Sequence, residues 1–119
     1  MKEGRLSVMK YEKENIVDLI KLLEDMYSIV VKNSNNDINY GKRTMHSMID
    51  YLKAELTDSE PTEYKELIIF MREKYNSMFP PKGGLSDFHI WHSEYEKRRK
   101  KNSEYEQTKT QIERILEIK

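Results

Sequence analysis

Apolar residues recur at steps of three and four between Tyr11 and Val31, and this spacing constrains the fold more than any other feature of the sequence. The positions concerned are Ile16, Leu19, Ile20, Leu23, Met26, Tyr27 and Val30. Residues at such steps share one face of an α-helix, so the spacing predicts an amphipathic helix. Leu22 and Ile29 widen its apolar stripe, and we expect this helix to contact more than one neighbour in the core.

A second segment, from about Tyr40 to Leu56, carries the same spacing. Its apolar positions are Met45, Met48, Ile49, Leu52 and Leu56, with Tyr51 alongside them. Methionine side chains adapt to irregular gaps, so we expect this face to fill the core. The alternative is an adaptable groove that binds a partner.

A third helix is expected between two proline signals. Pro61 follows a short run of small oxygen-bearing residues and suits a first helical turn, where its missing N–H has no helical partner. Pro80 and Pro81 exclude continuation of the helix. Between these signals apolar residues recur at helical steps, and we expect Ile69 and Phe70 to broaden the buried face.

The segment Phe79–His92 combines backbone breakers with large apolar side chains. It contains the only Trp, two of the three His, two of the three Pro and two of the four Gly. Solvated connections are usually small and polar, so this combination predicts a connection that packs in a fixed shape. Gly83 and Gly84 lack the flanking pattern of a phosphate-binding loop, and we expect them to reverse the chain.

The last helix has two candidate starts. Ser86 and Ser93 both suit an N-cap, and Ser93 with Glu96 matches a capping box. A second Ser-Glu-Tyr-Glu sequence at 103–106 makes Asn102–Ser103 a candidate kink or helix restart. From Trp91 onward a heptad-like seam with a polar middle comprises Trp91, Tyr95, Arg98, Asn102, Tyr105, Lys109, Ile112 and Leu116.

Together these patterns predict an all-α protein, an antiparallel four-helix bundle with a structured Pro/Gly/aromatic connection before the last helix. Residues 1–119 match the size of a single helical domain, with 1–10 as a flexible N-terminal segment. An unbroken last helix would either bend or extend beyond the bundle, and an overhanging end would present Ile112, Ile115, Leu116 and Ile118. Such an apolar end favours self-association, so a homodimer is a hypothesis.

Composition narrows the classes of function. Lys plus Arg and Asp plus Glu each number 21, so the zero net charge supplies no overall field that attracts nucleic acid or an anionic membrane. The chain has no cysteine, and it has no apolar run long enough to span a bilayer or to act as a secretion signal. We expect a cytoplasmic protein without membrane contact, and its richness in Lys, Ile and Asn favours a bacterial source.

No catalytic constellation is recognisable in the sequence, and we expect neither an enzyme nor a bound cofactor. His89 and His92 have a spacing that two metal ligands on one helix could use, but no HExxH pattern or cysteine set accompanies them. We therefore expect loop or surface histidines and no metal. Paired acids such as Glu24 and Asp25 lie in amphipathic helices, where exposed carboxylates are ordinary.

A partner protein is the expected ligand. Large aromatic rings beside basic side chains are typical of interface hot spots. The candidate partner-binding residues are Phe88, His89, Trp91, His92, Tyr95, Arg98 and Arg99. The alternative is that Phe88, Ile90 and Trp91 close one end of the bundle, and the burial of these rings decides between the two interpretations.

Two further functions are kept as alternatives. The basic run Lys97–Lys101 could contact the phosphates of nucleic acid, although the glutamates around it favour a solvated helix face and we expect no such binding. Small bacterial immunity proteins and antitoxins are often helical bundles of this size, a likeness of fold alone. That likeness adds an inhibitor of a partner protein as the other alternative.

Overall fold

All regular secondary structure in the described part of the chain is helical. The structure, a computed structural model, describes residues 13–33, 39–58 and 63–118. Its elements are α1 (Lys13–Asn33), α2 (Asn39–Thr57), α3 (Tyr64–Ser77), a 3₁₀ turn (Gly84–Asp87) and α4 (Tyr95–Leu116). The all-α prediction is confirmed for these residues, and none of these helices is long and apolar enough to cross a membrane. The predicted flexible segment 1–10 and the predicted helix start at Pro61 lie outside the described residues.

The four helices enclose one apolar core. α1 packs against both α2 and α4, and α3 also contacts α2 and α4. The predicted stripe of α1 is buried, except that Tyr27 is half-buried, as are Leu22 and Ile29 beside the stripe. Because α1 has two extensive neighbours, the prediction that it contacts more than one helix is confirmed.

The methionine face of α2 fills the core as predicted. Met45 and Met48 are buried together with Ile49 and Leu52. Tyr51, on the edge of this face, is 40% exposed. The core-filling interpretation is therefore confirmed for the methionines, and Tyr51 is left at the surface.

The prediction for the flank of α3 is wrong. Ile69 and Phe70 are 39% and 38% exposed, whereas Leu67, Ile68 and Met71 are buried. Helical spacing fixes the angle between side chains around an axis but not the width of the covered arc. α3 turns only its central stripe to the core, and Phe70 lies against Tyr51 of α2, with ring centroids 5.2 Å apart.

Polar contacts join α3 to α4 beside the core. The Tyr75 hydroxyl donates to Glu113 Oε2 at 2.9 Å, and Arg72 Nε donates to the Leu116 carbonyl at 2.7 Å. Burial raises the pKa of Tyr75 far above its ordinary value, and the negative charge of Glu113 adds to the effect.

α4 is continuous from Tyr95 to Leu116, so of the alternatives left open at Asn102–Ser103 the structure shows the unbroken helix. The apolar side chains that an overhanging end would present are covered instead. Ile112 and Leu116 are fully buried, and Ile115 and Ile118 pack against the core. The helix ends at Leu116, and the next residue, Glu117, adopts a left-handed conformation while the N–H of Ile118 bonds the Glu113 carbonyl at 2.8 Å. This is a Schellman motif, with a glutamate where glycine is usual.

Candidate protein-binding surface

The connection between α3 and α4, residues 78–94, begins with a closed turn. The Leu85 N–H bonds the Met78 carbonyl at 2.9 Å, so the chain returns to the end of α3. Gly83 and Gly84 both have positive φ angles, 79° and 57°. A Cβ on Gly84 would lie 2.9 Å from Pro80 Cδ, so a larger residue does not fit without displacement. The predicted chain reversal at these glycines is confirmed.

Two apolar side chains then anchor the connection to the helices. Leu85 is 2% exposed and sits directly over Gly41 of α2, where an added Cβ would approach Leu85 Cγ to 3.0 Å. Phe88 is half-buried and meets the Tyr105 ring of α4 edge-on, with centroids 4.9 Å apart. The prediction of a connection packed in a fixed shape is confirmed, since its side chains contribute to the core.

Asn102 of α4 holds the next part of the connection. Its Oδ1 accepts the Ile90 N–H at 2.9 Å, and its Nδ2 donates to the Ile90 carbonyl at 2.9 Å. The same Nδ2 donates to the Arg98 carbonyl one turn earlier, at 2.9 Å. A single amide therefore satisfies both backbone groups of Ile90, whose side chain is 1% exposed.

Trp91, the next residue, points out of the core. It is 72% exposed, and Tyr95 in the first turn of α4 is 61% exposed. The Arg98 guanidinium lies over both rings, with Cζ 4.8 Å from the Trp91 centroid and 5.4 Å from that of Tyr95. Arg98 Nη1 also donates to the His92 carbonyl at 3.4 Å. We call Trp91, Tyr95 and Arg98 the Trp91 patch.

The two histidines of the connection do different things. His92 Nδ1 accepts the backbone N–H of Glu94 at 3.0 Å, and His89 is exposed. Within residues 13–33, 39–58 and 63–118 no three His, Cys, Asp or Glu side chains are grouped so that they could hold a metal ion.

The predicted capping box is wrong. The N-cap of α4 is Glu94, no side chain caps it, and its N–H is taken by His92. The Glu96 carboxylate, which would complete the box, lies instead 3.7 Å from Arg99. Neither Ser86 nor Ser93 is therefore the N-cap, and His89 to His92 lie in the connection before α4.

Acidic neighbours partly neutralise the basic run. Lys97 Nζ lies 3.6 Å from Glu94 Oε2, and Arg99 is paired with Glu96. Both are exposed pairs within one helix, which contribute little to stability but lower the local positive potential.

The seven candidate residues are thus separated into three groups. Trp91, Tyr95 and Arg98 form one patch, with the His92 backbone against Arg98. Phe88 faces inward, and His89 and Arg99 make no contact with the patch rings in the described contacts. Sequence reasoning missed Asn102 as the residue that positions the patch, although an asparagine in the polar middle of the heptad-like seam was a usable signal.

Comparison with known proteins does not assign the chain to a family. No protein-family model matches the chain, and no curated protein or solved structure matches it significantly. Function is therefore inferred from the site itself.

Proposed function

We propose that this protein is a binding module that recognises a partner protein through the Trp91 patch. The observation that carries the proposal is the 72% exposure of Trp91 at a position whose backbone neighbours are both held. Ile90 is bound by Asn102, and the His92 carbonyl accepts a hydrogen bond from Arg98. An exposed apolar ring gains free energy when a partner covers it, and a backbone that is already fixed loses little entropy on binding.

The chemistry of the patch supports the same proposal. Tryptophan, tyrosine and arginine are the residues most enriched at interface hot spots. Arg98 is already oriented by its contacts with two rings and one carbonyl, so little side-chain entropy remains to be lost on binding. We expect the partner to present an apolar side chain to the indole and a carboxylate to the guanidinium.

In this proposal the scaffold is an antiparallel four-helix bundle. Support comes from contacts in which residue numbers rise on one helix as they fall on the next. Tyr75 meets Glu113 and Arg72 meets the Leu116 carbonyl, while Tyr40 bonds Ser77 and Tyr51 contacts Phe70. The proposal includes no catalytic step and a cytoplasmic location, and an inhibitor of the immunity or antitoxin kind is one form that it can take.

The test compares Trp91→Ala with Tyr51→Ala, which removes a partly exposed ring outside the patch. Each variant is immobilised and used to capture proteins from an extract of the source cells, and the affinity for each captured protein is then measured with purified components. We expect Trp91→Ala to weaken one specific complex by about 2 kcal/mol or more, and Tyr51→Ala to leave it unchanged. Arg98→Lys should also weaken it, because an ammonium cannot reproduce planar stacking on two rings.

Equal affinities for Trp91→Ala and the wild type would contradict the proposal. Equal losses of affinity in the Trp91 and Tyr51 variants would also contradict it, since they would indicate non-specific binding to exposed aromatic rings.

A second candidate function is binding of single-stranded nucleic acid. The observation that favours it is the location of two exposed rings beside the run Lys97–Lys101, because stacking platforms next to cations are typical of such proteins. The pairing of Lys97 and Arg99 with glutamates counts against it. Fluorescence anisotropy with labelled oligonucleotides distinguishes the two, since phosphate binding must weaken steeply with salt.

A further inference from the structure

A second concave site lies between α2 and α3 and shares no lining residue with the Trp91 patch. It is a groove partly open to solvent, with a volume of about 400 Å³, within the range of small-molecule sites. Buried Met48 and Met71 contribute to its lining from the core side. We call this site the α2–α3 trough.

Contacts between the helices close both ends of the trough. At one end the Tyr51 and Phe70 rings lie 5.2 Å apart, and at the other the Tyr40 hydroxyl donates to Ser77 Oγ at 3.1 Å. Tyr40 and Tyr51 are eleven residues apart on α2, so the ends are separated by about 16 Å. A long peptide would have to rise over these contacts, whereas a compact ligand fits between them.

The lining of the trough is aromatic and cationic. Tyr40, Tyr51 and Phe70 are each more than a third exposed, and Arg43 and Lys74 line the same space. No described lining residue is acidic, and neither cation forms an ion pair with a described carboxylate. Lys74 Nζ lies 5.3 Å from the Phe70 centroid, so its charge is directed along a ring face.

Hydroxyl groups complete the polar part of the lining. Thr44 and Ser47 lie on the same face of α2 as the tyrosines. The Ser77 hydrogen bond lowers the pKa of Tyr40, with further contributions from Thr44 and from the positive charge of Lys74. Of these contributions only that of Lys74 reflects a charge, and it is the smallest of them.

We propose that the α2–α3 trough binds a small aromatic carboxylate. The rings and methionines accept a flat apolar body, and Arg43 with Lys74 accept its negative charge. An inorganic phosphate would leave the rings unused, and a neutral aromatic molecule would leave two cations without a counter-charge. Charge complementarity and closure at both ends together select this class of ligand.

Of the two cations, Lys74 should contribute more to binding the carboxylate. Arg43 also lines a neighbouring groove between α1 and α2, where Asp50 is present and lies 3.2 Å from His46. Its charge is therefore shared between two surfaces, whereas Lys74 lines only the trough among the described grooves.

The experiment titrates the full chain with naphthoate and with its neutral counterpart naphthamide, followed by calorimetry and amide NMR spectra. We expect naphthoate to shift the resonances of Thr44, Ser47 and Phe70 and to leave that of Trp91 unchanged. The affinity for naphthamide should be lower than that for naphthoate by a factor of about ten or more, since one charge-assisted hydrogen bond is worth about that factor.

Variants of the two cations test which side chain binds the carboxylate of naphthoate. Lys74→Gln should weaken naphthoate binding about tenfold, Arg43→Gln less, and both together most, while naphthamide binding stays constant. The matched control is Lys65→Gln with Arg114→Gln, two exposed cations outside the trough. Absence of naphthoate binding at millimolar concentration, equal binding of both probes, or shifts confined to the Trp91 patch would each overturn the proposal.

Discussion

Ile90 and Trp91 are adjacent in the chain and occupy opposite environments. Ile90 is 1% exposed and Trp91 is 72% exposed. The difference arises because Asn102 holds the backbone of Ile90 in one orientation, which turns its side chain inward and the next one outward. At the scale of single residues, burial decides which large side chains stabilise the fold and which are available to a partner.

The first prediction compares alanine substitutions at these two positions. Trp91→Ala should change the free energy of unfolding by less than about 0.5 kcal/mol, because a surface ring loses few contacts. Ile90→Ala should lower it by about 2 to 5 kcal/mol through the cavity that it leaves. Urea denaturation followed by circular dichroism measures both, and a large loss for Trp91→Ala would mean that the ring belongs to the core.

The second prediction concerns Tyr105. Its hydroxyl is buried and no described residue accepts or donates a hydrogen bond to it. Tyr105→Phe removes this unsatisfied group, so we expect unchanged stability or a gain of up to about 1 kcal/mol. Tyr75→Phe is the control, since it breaks a bond to Glu113 and should cost about 0.5 to 3 kcal/mol. A substantial loss in the Tyr105 variant would show that the hydroxyl has a partner.

At the scale of elements, the connection is fastened to two different helices. Leu85 packs over Gly41 of α2, and Asn102 of α4 binds Ile90. Glycine at 41 is unfavourable to the helix by itself, but it provides the space that Leu85 occupies. The local helical preference and the packing of the connection therefore conflict at this position.

The third prediction is a reversal of sign at Gly41. In the wild type, Gly41→Ala should destabilise the fold by about 1 to 3 kcal/mol through overlap with Leu85. In the Leu85→Ala background the same change should stabilise it by up to about 1 kcal/mol, because the improved helix propensity remains and the overlap is gone. A double-mutant cycle measured by urea denaturation gives the coupling.

Ser47→Ala, introduced into both backgrounds, is the control and should give the same small effect in each. Additive behaviour of Gly41→Ala would contradict the close packing of Leu85 on α2.

Much of the helical pattern could be predicted from the sequence, because apolar periodicity records which face of each helix is covered. The stripe of α1 and the methionine face of α2 were predicted correctly. Ile69 and Phe70 were not, since the width of the covered arc depends on where α2 and α4 lie.

The sequence predicted which residues belong to the candidate site but not how they contact one another. The aromatic and basic residues of the patch were identified, but the contact of Arg98 with two rings depends on where the connection meets α4. Asn102 was considered only as part of a candidate kink or helix restart, because its real partner, Ile90, is twelve residues away. The polar position of Asn102 in the seam signals a need for hydrogen-bond partners, but the sequence does not show which distant residue supplies them.

At the scale of the whole molecule, the α3–α4 contact contains two tyrosines that resist ionisation. Burial is the main cause of the raised pKa at both Tyr75 and Tyr105, and nearby glutamate charges add to it. The unfolded chain has no such environment, so its tyrosines ionise near pH 10. The two states therefore bind different numbers of protons in alkaline solution.

The fourth prediction is a loss of stability above about pH 10. There the unfolded state releases tyrosine protons that the native state retains, so unfolding becomes more favourable as pH rises. Each tyrosine contributes up to about 1.4 kcal/mol per pH unit, and its stabilisation is fully present below pH 10. Urea midpoints measured across this range should fall less steeply in the Tyr75→Phe and Tyr105→Phe double variant.

Tyr95→Phe, which changes an exposed ring, should keep the wild-type slope. Identical slopes in all three proteins would mean that neither buried tyrosine controls the alkaline transition.

The outward position of the chain's only indole also has an optical consequence. Tryptophan emission in this protein comes from the end of the α3–α4 connection, and the guanidinium of Arg98 covers part of the ring. The wavelength of its emission maximum and its access to quenchers therefore report whether the connection is packed against the helices. The far-ultraviolet circular dichroism signal reports the helices themselves. A partner that covers the ring would shift the emission to the blue without any change in helix content, so fluorescence can follow association in real time without an added label.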